Sequence, residues 1–391
     1  MSPTDFLFIH PLLGVDDSWS GYRAECGLPP AENMLLESLA ASPMIDAFSH
    51  RHPWLLPALP APYPPARREQ RVVVFPARPA AADAEALAAQ EAALRQSGCA
   101  VGLLAAPTLP LPATGAWNYL LLAASHARSL PPYKLQGLSA RSKIVAIDVH
   151  SHADRQWLLD NACSLSTGEF LLTRKILLNR ADTTRLKLLE LLALIARDAD
   201  TGELEQVFRQ ESKLSYSLLR LVNSAAMAQA RPISSFAQAI NLLGRRQLQR
   251  WLQLLIYADP NNGHLPNPLL QKAAARGHLL ESLAPLLQAP PALDNLADAA
   301  FMIGSFSLLD ILLNMPMSEI MQQLPLAREI TTALTERSGP LGELLRAMHA
   351  AETRDLPLAA SKLEKLGITP QQYLDAQLNA FAWAAKIRPG P

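Results

Sequence analysis

The feature that most constrains this chain is a change of texture near its middle. Before residue 175 the apolar residues fall in short runs, FLFIH, RVVVFP, AVGLLA, NYLLLA and KIVAIDV, separated by proline or alanine-rich stretches. Runs of this length, apolar nearly throughout and bounded by breakers, read as strands covered on both faces. The segment 84–96, with Leu87, Glu91, Leu94 and Arg95, reads as a helix crossing between two such strands. From Asp182 onward, through TTRLKLLELLALIARD, SYSLLRLVNSAAM, SFAQAINLLG and RRQLQRWLQLLIYA, apolar residues recur at spacings of three and four, the helical period. A chain of 391 residues is long enough for two cores. The pattern therefore predicts an α/β domain over residues 1–175 and an all-helical domain over 176–391, the boundary falling between Thr173 and Asp182. HPWLLPALPAPYPP, residues 52–65, is too rich in proline for a helix or a central strand and is expected to be a loop or extended connector.

Charge and cysteine usage remove several classes of function. Basic and acidic residues balance at 35 each, which gives no electrostatic reason to expect a nucleic acid or an anionic membrane as partner. Cys26, Cys99 and Cys163 are far apart, with no C-x-x-C pair, so neither a disulfide framework nor a zinc knuckle is indicated. The start, MSPTDFLFIHPLLGVDD, has no basic n-region and has an early Asp5, so it reads as a first strand rather than a secretory signal. No run approaches the roughly 18 apolar residues of a spanning helix. A cytoplasmic protein without membrane insertion is expected.

The stretch from Leu218 to Arg246 is the most patterned part of the helical half. Leu218, Leu221, Val222 and Ala225 share one helical face, with Asn223 near its edge and small residues from Ser224 to Ala226 where the helix ends. Pro232 breaks the helix, and Ser235 followed by Gln238 is a capping-box pattern that starts another. That second helix presents Phe236, Ala239, Ile240 and Leu243 and ends at Gly244, a left-handed cap. No nucleophile with a base and no ligand cluster occurs in it.

LLRLVNSAA, RPISS and AINLLGRRQLQRWL resemble the hallmark region of the HDOD domain, a helical relative of the HD and HD-GYP phosphohydrolases without their metal-binding residues. The likeness runs on through GSFSLLDILLNMPMSEIMQQLPL into a C-terminal extension similar to that of bacterial proteins joining an EAL-type domain to an HDOD domain. One departure is Gln229, where the family often has glycine. The chain has no His-Asp dipeptide, and His264, His278 and His349 of the helical half form no i, i+4 pair, so a two-metal hydrolase is not expected there.

The EAL resemblance implies a cyclic-di-GMP phosphodiesterase by ancestry, working with carboxylates, an asparagine and a lysine at the carboxyl ends of barrel strands. GYRAECGLP resembles the first signature, with Arg23-Ala24-Glu25 in place of Glu-Ala-Leu. Leu104 to Ala106 stand where the family has Asp-Asp-Phe, and Leu121 and Ala123 replace its lysine and acid. Ile147 and His150 replace glutamates, and Thr167 replaces a glutamine.

Two smaller groups of polar residues stand beside these. His150, His152 and Asp154 have the types of a metal site but read more simply as a strand end running into a helix capped by Ser151 or Asp154. Arg245, Arg246 and Arg250, with Trp251, form a basic cluster too small for a nucleic-acid stripe. P-loop and dinucleotide-binding glycine motifs are absent from the sequence.

The fold class expected is α/β plus all-α: a degenerate, incomplete EAL-type, TIM-like barrel followed by a helical HDOD domain. The function expected is that of a non-catalytic bacterial signalling protein, not an enzyme, with no catalytic residue, cofactor or metal. It would dock a protein partner through Asn223, Ser224, Arg231, Pro232, Ser234, Ser235, Arg245 and Arg246. The alternatives are a cyclic-di-GMP receptor or a residual cyclic-di-GMP phosphodiesterase. The sequence does not fix whether the chain forms a homo-oligomer.

Overall fold

The structure is a computed structural model and describes residues 6–26, 34–59, 70–174, 236–257, 268–293 and 295–387, with isolated positions between 193 and 223. It divides into two compact units, one of residues 1–173 with 351–360 and the other of 174–350 with 361–391.

The first unit is built on eight strands in chain order, closed into a barrel: β1 (Leu7–Leu13), β2 (Trp19–Cys26), β3 (Trp54–Pro57), β4 (Arg71–Pro76), β5 (Val101–Leu104), β6 (Tyr119–Ala123), β7 (Lys143–Ile147) and β8 (Leu165–Ser166). β1 runs antiparallel to both neighbours, β2 and β8, while every pairing from β2 to β8 is parallel. Cross-strand partners share a face, and side chains alternate in and out along a strand. Leu12, Leu55, Val72, Val74, Tyr119, Leu121, Val145, Ile147 and Leu165 thereby converge into one buried cluster. Layers of branched side chains like these make a barrel interior a packed core and not a pore.

The expectation of an incomplete barrel is corrected, because the sheet closes. Its helical layer is uneven: α1 (Met34–Ala41) follows β2, α2 (Ala84–Gln96) follows β4, α3 (Ala124–Ser129) and α4 (Pro132–Ser139) follow β6, and α5 (His152–Asp160) follows β7. Residues 105–118, between β5 and β6, contain no helix. Pro107, Pro110 and Pro112 there remove backbone donors and break helical geometry.

The proline connector is corrected too, since Trp54–Pro57 is β3. Its prolines fall where they cost no ladder bond: Pro53 precedes the strand and lends its carbonyl to Tyr22 N–H at 2.9 Å, and Pro57 ends it. Trp54 N–H donates to Gln70 O and Ala58 N–H to Val74 O, both at 2.8 Å. α5 begins as expected, with Ser151 as N-cap accepting from Asp154 N–H at 3.0 Å.

The second unit is helical. α6 spans Phe236–Leu255 as two helical stretches that meet at Gly244, whose φ of 72° and ψ of 160° leave the helical region, so the first stretch ends at the glycine as the sequence suggests. Of the face read upstream, Leu218 and Val222 are buried; Leu221, Ala225, Pro232 and Ser235 lie outside the described residues. α7 (Pro268–Leu283) packs against α8 (Leu296–Phe306) at very short range. A Cβ built on Gly304 would lie 2.5 Å from Arg276 O and 2.7 Å from Gly277 Cα, so only glycine allows this approach.

The chain continues through α9 (Leu309–Leu312), α10 (Met317–Gln322), α11 (Arg328–Thr335), α12 (Gly339–Glu352), α13 (Leu356–Lys365) and α14 (Pro370–Ala385). α14 starts with a Thr369/Gln372 capping box and packs on α7, burying Leu374 and Leu378 and bringing Trp383 to 5.6 Å from Trp251 and 5.9 Å from Phe301. A polar network crosses the core: Tyr257 donates to Ser305 O at 2.5 Å, Ser305 to Gln253 Oε1 at 3.3 Å, and fully buried Arg276 to Ser307 Oγ at 2.7 Å.

Candidate functional site

Because β2 to β8 are parallel, their carboxyl ends share one rim, where barrels of this kind place their chemistry. Register fixes what points into it. Arg23 pairs with Leu55 of the core cluster on one side and with His10 on the other, so all three face inward, and alternation carries Glu25 to the same face. Two residues beyond Leu165, Thr167 continues the inward column of β8, and the buried carboxylate of Glu169 accepts from Val149 N–H at 3.3 Å.

Glu25 is the hub of this rim. Its Oε1 accepts from Arg23 Nη2 and from Arg354 Nη2, each at 2.6 Å, while its Oε2 lies 3.5 Å from His10 Nε2. Arg354, which belongs to the barrel unit through the segment 351–360, donates its other nitrogen, Nη1, to Asp148 Oδ1 at 2.6 Å. One guanidinium thus bridges a carboxylate on β2 and one just past β7. Arg354 and Asp148 both hold positive φ, 65° and 57°. A non-glycine residue in that region is uncommon and is held there by its surroundings.

The electrostatics follow from burial and pairing. Burial alone would raise the Glu25 carboxyl, but Arg23, His10 and Arg354 together hold it below the usual carboxylate range. Burial lowers the Arg23 guanidinium, against the pull of Glu25. Arg23 is only 7% exposed, and its Nη1 has no hydrogen-bond partner in the structure. Thr167 Oγ1, on a residue 2% exposed, is in the same condition. Buried donors are nearly always satisfied, so this guanidinium N–H is a place where an acceptor can be taken up.

EAL-type chemistry implies divalent ions, and the residues here do not fit one. Glu25 and Asp148 are each engaged by arginine, and among the described residues no group of three or more His, Cys, Asp or Glu could hold a metal ion. Of the other positions read against the EAL pattern, Leu121 and Ile147 lie within the apolar core and Leu104 and Ala123 pack on it. His150, His152 and Asp154 do not assemble. His150 is exposed, His152 sits edge-on to Phe170 at 5.1 Å, and Asp154 accepts from Ser151 Oγ at 2.7 Å and Arg128 Nη1 at 2.6 Å.

In the helical unit, Asn223 is half-buried and Arg246 exposed, while the side chain of Arg245 and residues Ser224, Arg231, Pro232, Ser234 and Ser235 lie outside the described residues. Arg246 donates to Asp298 at 2.6 Å, and Arg250 pairs with both Glu281 and Asp298. The basic cluster is thus matched by acids on α7 and α8. Reading the sequence alone missed His10, Asp148, Glu169 and Arg354 as parts of the rim. Only Asp148, a carboxylate ending an apolar strand run, carried a signal that could have found it.

Residues 183–265 match the family model of the HDOD domain. In sequence, a closed eight-stranded barrel thus precedes a segment that matches the HDOD family model. Among its relatives is cyclic di-GMP phosphodiesterase CdgJ of Vibrio cholerae, 30% identical over 190 residues, which are 49% of this chain and 43% of CdgJ. Another is YuxH of Bacillus subtilis, an uncharacterized protein 28% identical over 185 residues, 46% of this chain and 43% of YuxH. The chain therefore matches less than half the length of either relative. Similar solved structures are a standalone EAL protein from Vibrio cholerae in its c-di-GMP-bound form and the Bacillus subtilis YkuI protein, with an EAL domain, in complex with c-di-GMP and calcium. The first has a TM-score of 0.33 at 15% identity, covering 43% of this chain and 91% of that one. The second has a TM-score of 0.32 at 12% identity, covering 62% of this chain and 75% of that one.

The kinship with CdgJ corrects the expectation that the chain is not an enzyme. A relative 30% identical bears the name of a phosphodiesterase, so substituted signature residues no longer support that exclusion. Among the described residues no helix is long and apolar enough to cross a membrane.

Proposed function

We propose that this chain is a cytoplasmic cyclic-di-GMP signalling protein, with a barrel rim that takes the dinucleotide and a helical half that docks a protein partner. The observation that carries the first part is Arg23 Nη1, a buried guanidinium nitrogen without an acceptor at the carboxyl ends of the strands. A phosphodiester oxygen is the acceptor that suits it, since charge-assisted bonds from arginine to phosphate are short and strong. Kinship with a cyclic di-GMP phosphodiesterase supports this choice of ligand.

The test is calorimetric titration of the full chain with cyclic di-GMP, followed by analysis of the same mixture for linear dinucleotide. Saturable heat supports the reading, and product alongside it would assign turnover to this chain. Absence of heat removes it.

The residues proposed for docking are Asn223, Ser224, Arg231, Pro232, Ser234, Ser235, Arg245 and Arg246, all within the HDOD match. Photo-crosslinking from position 223 in cells tests them: a discrete protein adduct lost in Arg246→Glu supports the surface, and an adduct unaffected by that change counts against it.

A further inference from the structure

The segment 351–360 is continuous in sequence with the C-terminal helices, yet it clusters with the barrel. Within it, Arg354 places Nη2 on Glu25 and Nη1 on Asp148, each at 2.6 Å. One guanidinium fork thus bridges a carboxylate on β2 and one just past β7. The side chain of Arg354 is 19% exposed and that of Arg23 is 9% exposed. Solvent therefore reaches the bridging arginine more readily than the unsatisfied donor of Arg23. The backbones at both ends of the Arg354–Asp148 pair are in the left-handed region, which non-glycine residues adopt only when their surroundings hold them there.

We propose that Arg354 is an autoinhibitory latch on the barrel rim: it holds residues 351–360 across Glu25 and Asp148, and a ligand reaching Arg23 displaces it. The ligand part of this inference rests on the proposed dinucleotide reading; the latch itself does not. Displacement exchanges two carboxylate contacts of Arg354 for contacts of the ligand with Arg23, so ligand and latch compete and each weakens the other.

Hydrogen–deuterium exchange of the full-length chain without ligand reads the latch directly, in wild type and in Arg354→Gln, a variant that keeps polar character and loses the charged fork. The expected result is exchange about tenfold faster within 351–360, with the strands β4 to β7 unchanged. Unchanged exchange in 351–360 would overturn the latch, whatever the ligand does. Calorimetry with cyclic di-GMP on the same two proteins tests competition, with affinity expected to rise about tenfold in Arg354→Gln. A fall in affinity would overturn the proposal by making Arg354 a ligand-binding residue. Exchange that rises while neither protein binds the dinucleotide would sustain the latch and remove the proposed function instead.

Discussion

Arg354 Nη1 lies 2.6 Å from Asp148 Oδ1, and the two residues meet with both backbones at positive φ, 65° and 57°. Asparagine tolerates that backbone and lacks the charge, whereas a β-branched residue does not tolerate it. Asp148→Asn is expected to stay within about 1 kcal/mol of wild type, because the Asp148 carboxylate is partly exposed and its pair is screened. Asp148→Val is expected to lose a further ~1–3 kcal/mol through backbone strain. Urea midpoints measure both, and equal values would show that the conformation at Asp148 carries no strain.

Acid sensitivity should be traceable to Glu25. Its carboxyl is held below its ordinary value in the folded chain, so its contribution to stability is complete above about pH 4.3, the unfolded reference, and is lost as pH falls through the folded value. Glu25→Gln is expected to melt lower at neutral pH, since Arg23 then loses its buried partner. The two melting curves converge as the pH is lowered through that window. Parallel curves at all pH values would remove Glu25 from the account of acid lability.

In the helical unit the close crossing of α7 and α8 depends on Gly304. Gly304→Ala places a methyl group against the Arg276 carbonyl and is expected to cost ~1–3 kcal/mol as the helices separate, a loss visible in the urea midpoint. An unchanged midpoint would mean that the crossing relaxes without cost.

The thiols should differ sharply. Burial pushes Cys163 up to about 12, against a smaller opposing effect of Arg155, while Cys26 and Cys99 are half-buried. In the folded chain at mild alkaline pH, Cys163 is expected to resist a thiol reagent that modifies Cys99, and to react only on unfolding. Modification of Cys163 at a rate like that of Cys99 would contradict its burial.

Much of this architecture is legible in the sequence where local rules act alone. The run RVVVFP is β4, the segment 84–96 is α2 from end to end, and α5 is capped by Ser151, one of the two caps the sequence offers. β3 is hidden because Pro53 and Pro57 look like breakers until pairing shows that they flank the strand. β8 is two residues long, below what any pattern resolves. The rim escapes for a different reason. Arg354 and Glu25 are 329 residues apart, and nothing local in TRDLP announces a partner on β2. Arg246 reads as a free surface cation until Asp298, 52 residues on, is found against it.

The central claim is that a dinucleotide phosphate satisfies the free nitrogen of Arg23. Calorimetric titration with cyclic di-GMP of wild type and of Arg23→Lys tests it most directly, because lysine keeps the charge beside Glu25 and removes the second nitrogen of the fork. The account predicts saturable binding by wild type and an affinity at least about tenfold weaker in Arg23→Lys. Equal heats from the two proteins, or none from either, would contradict it.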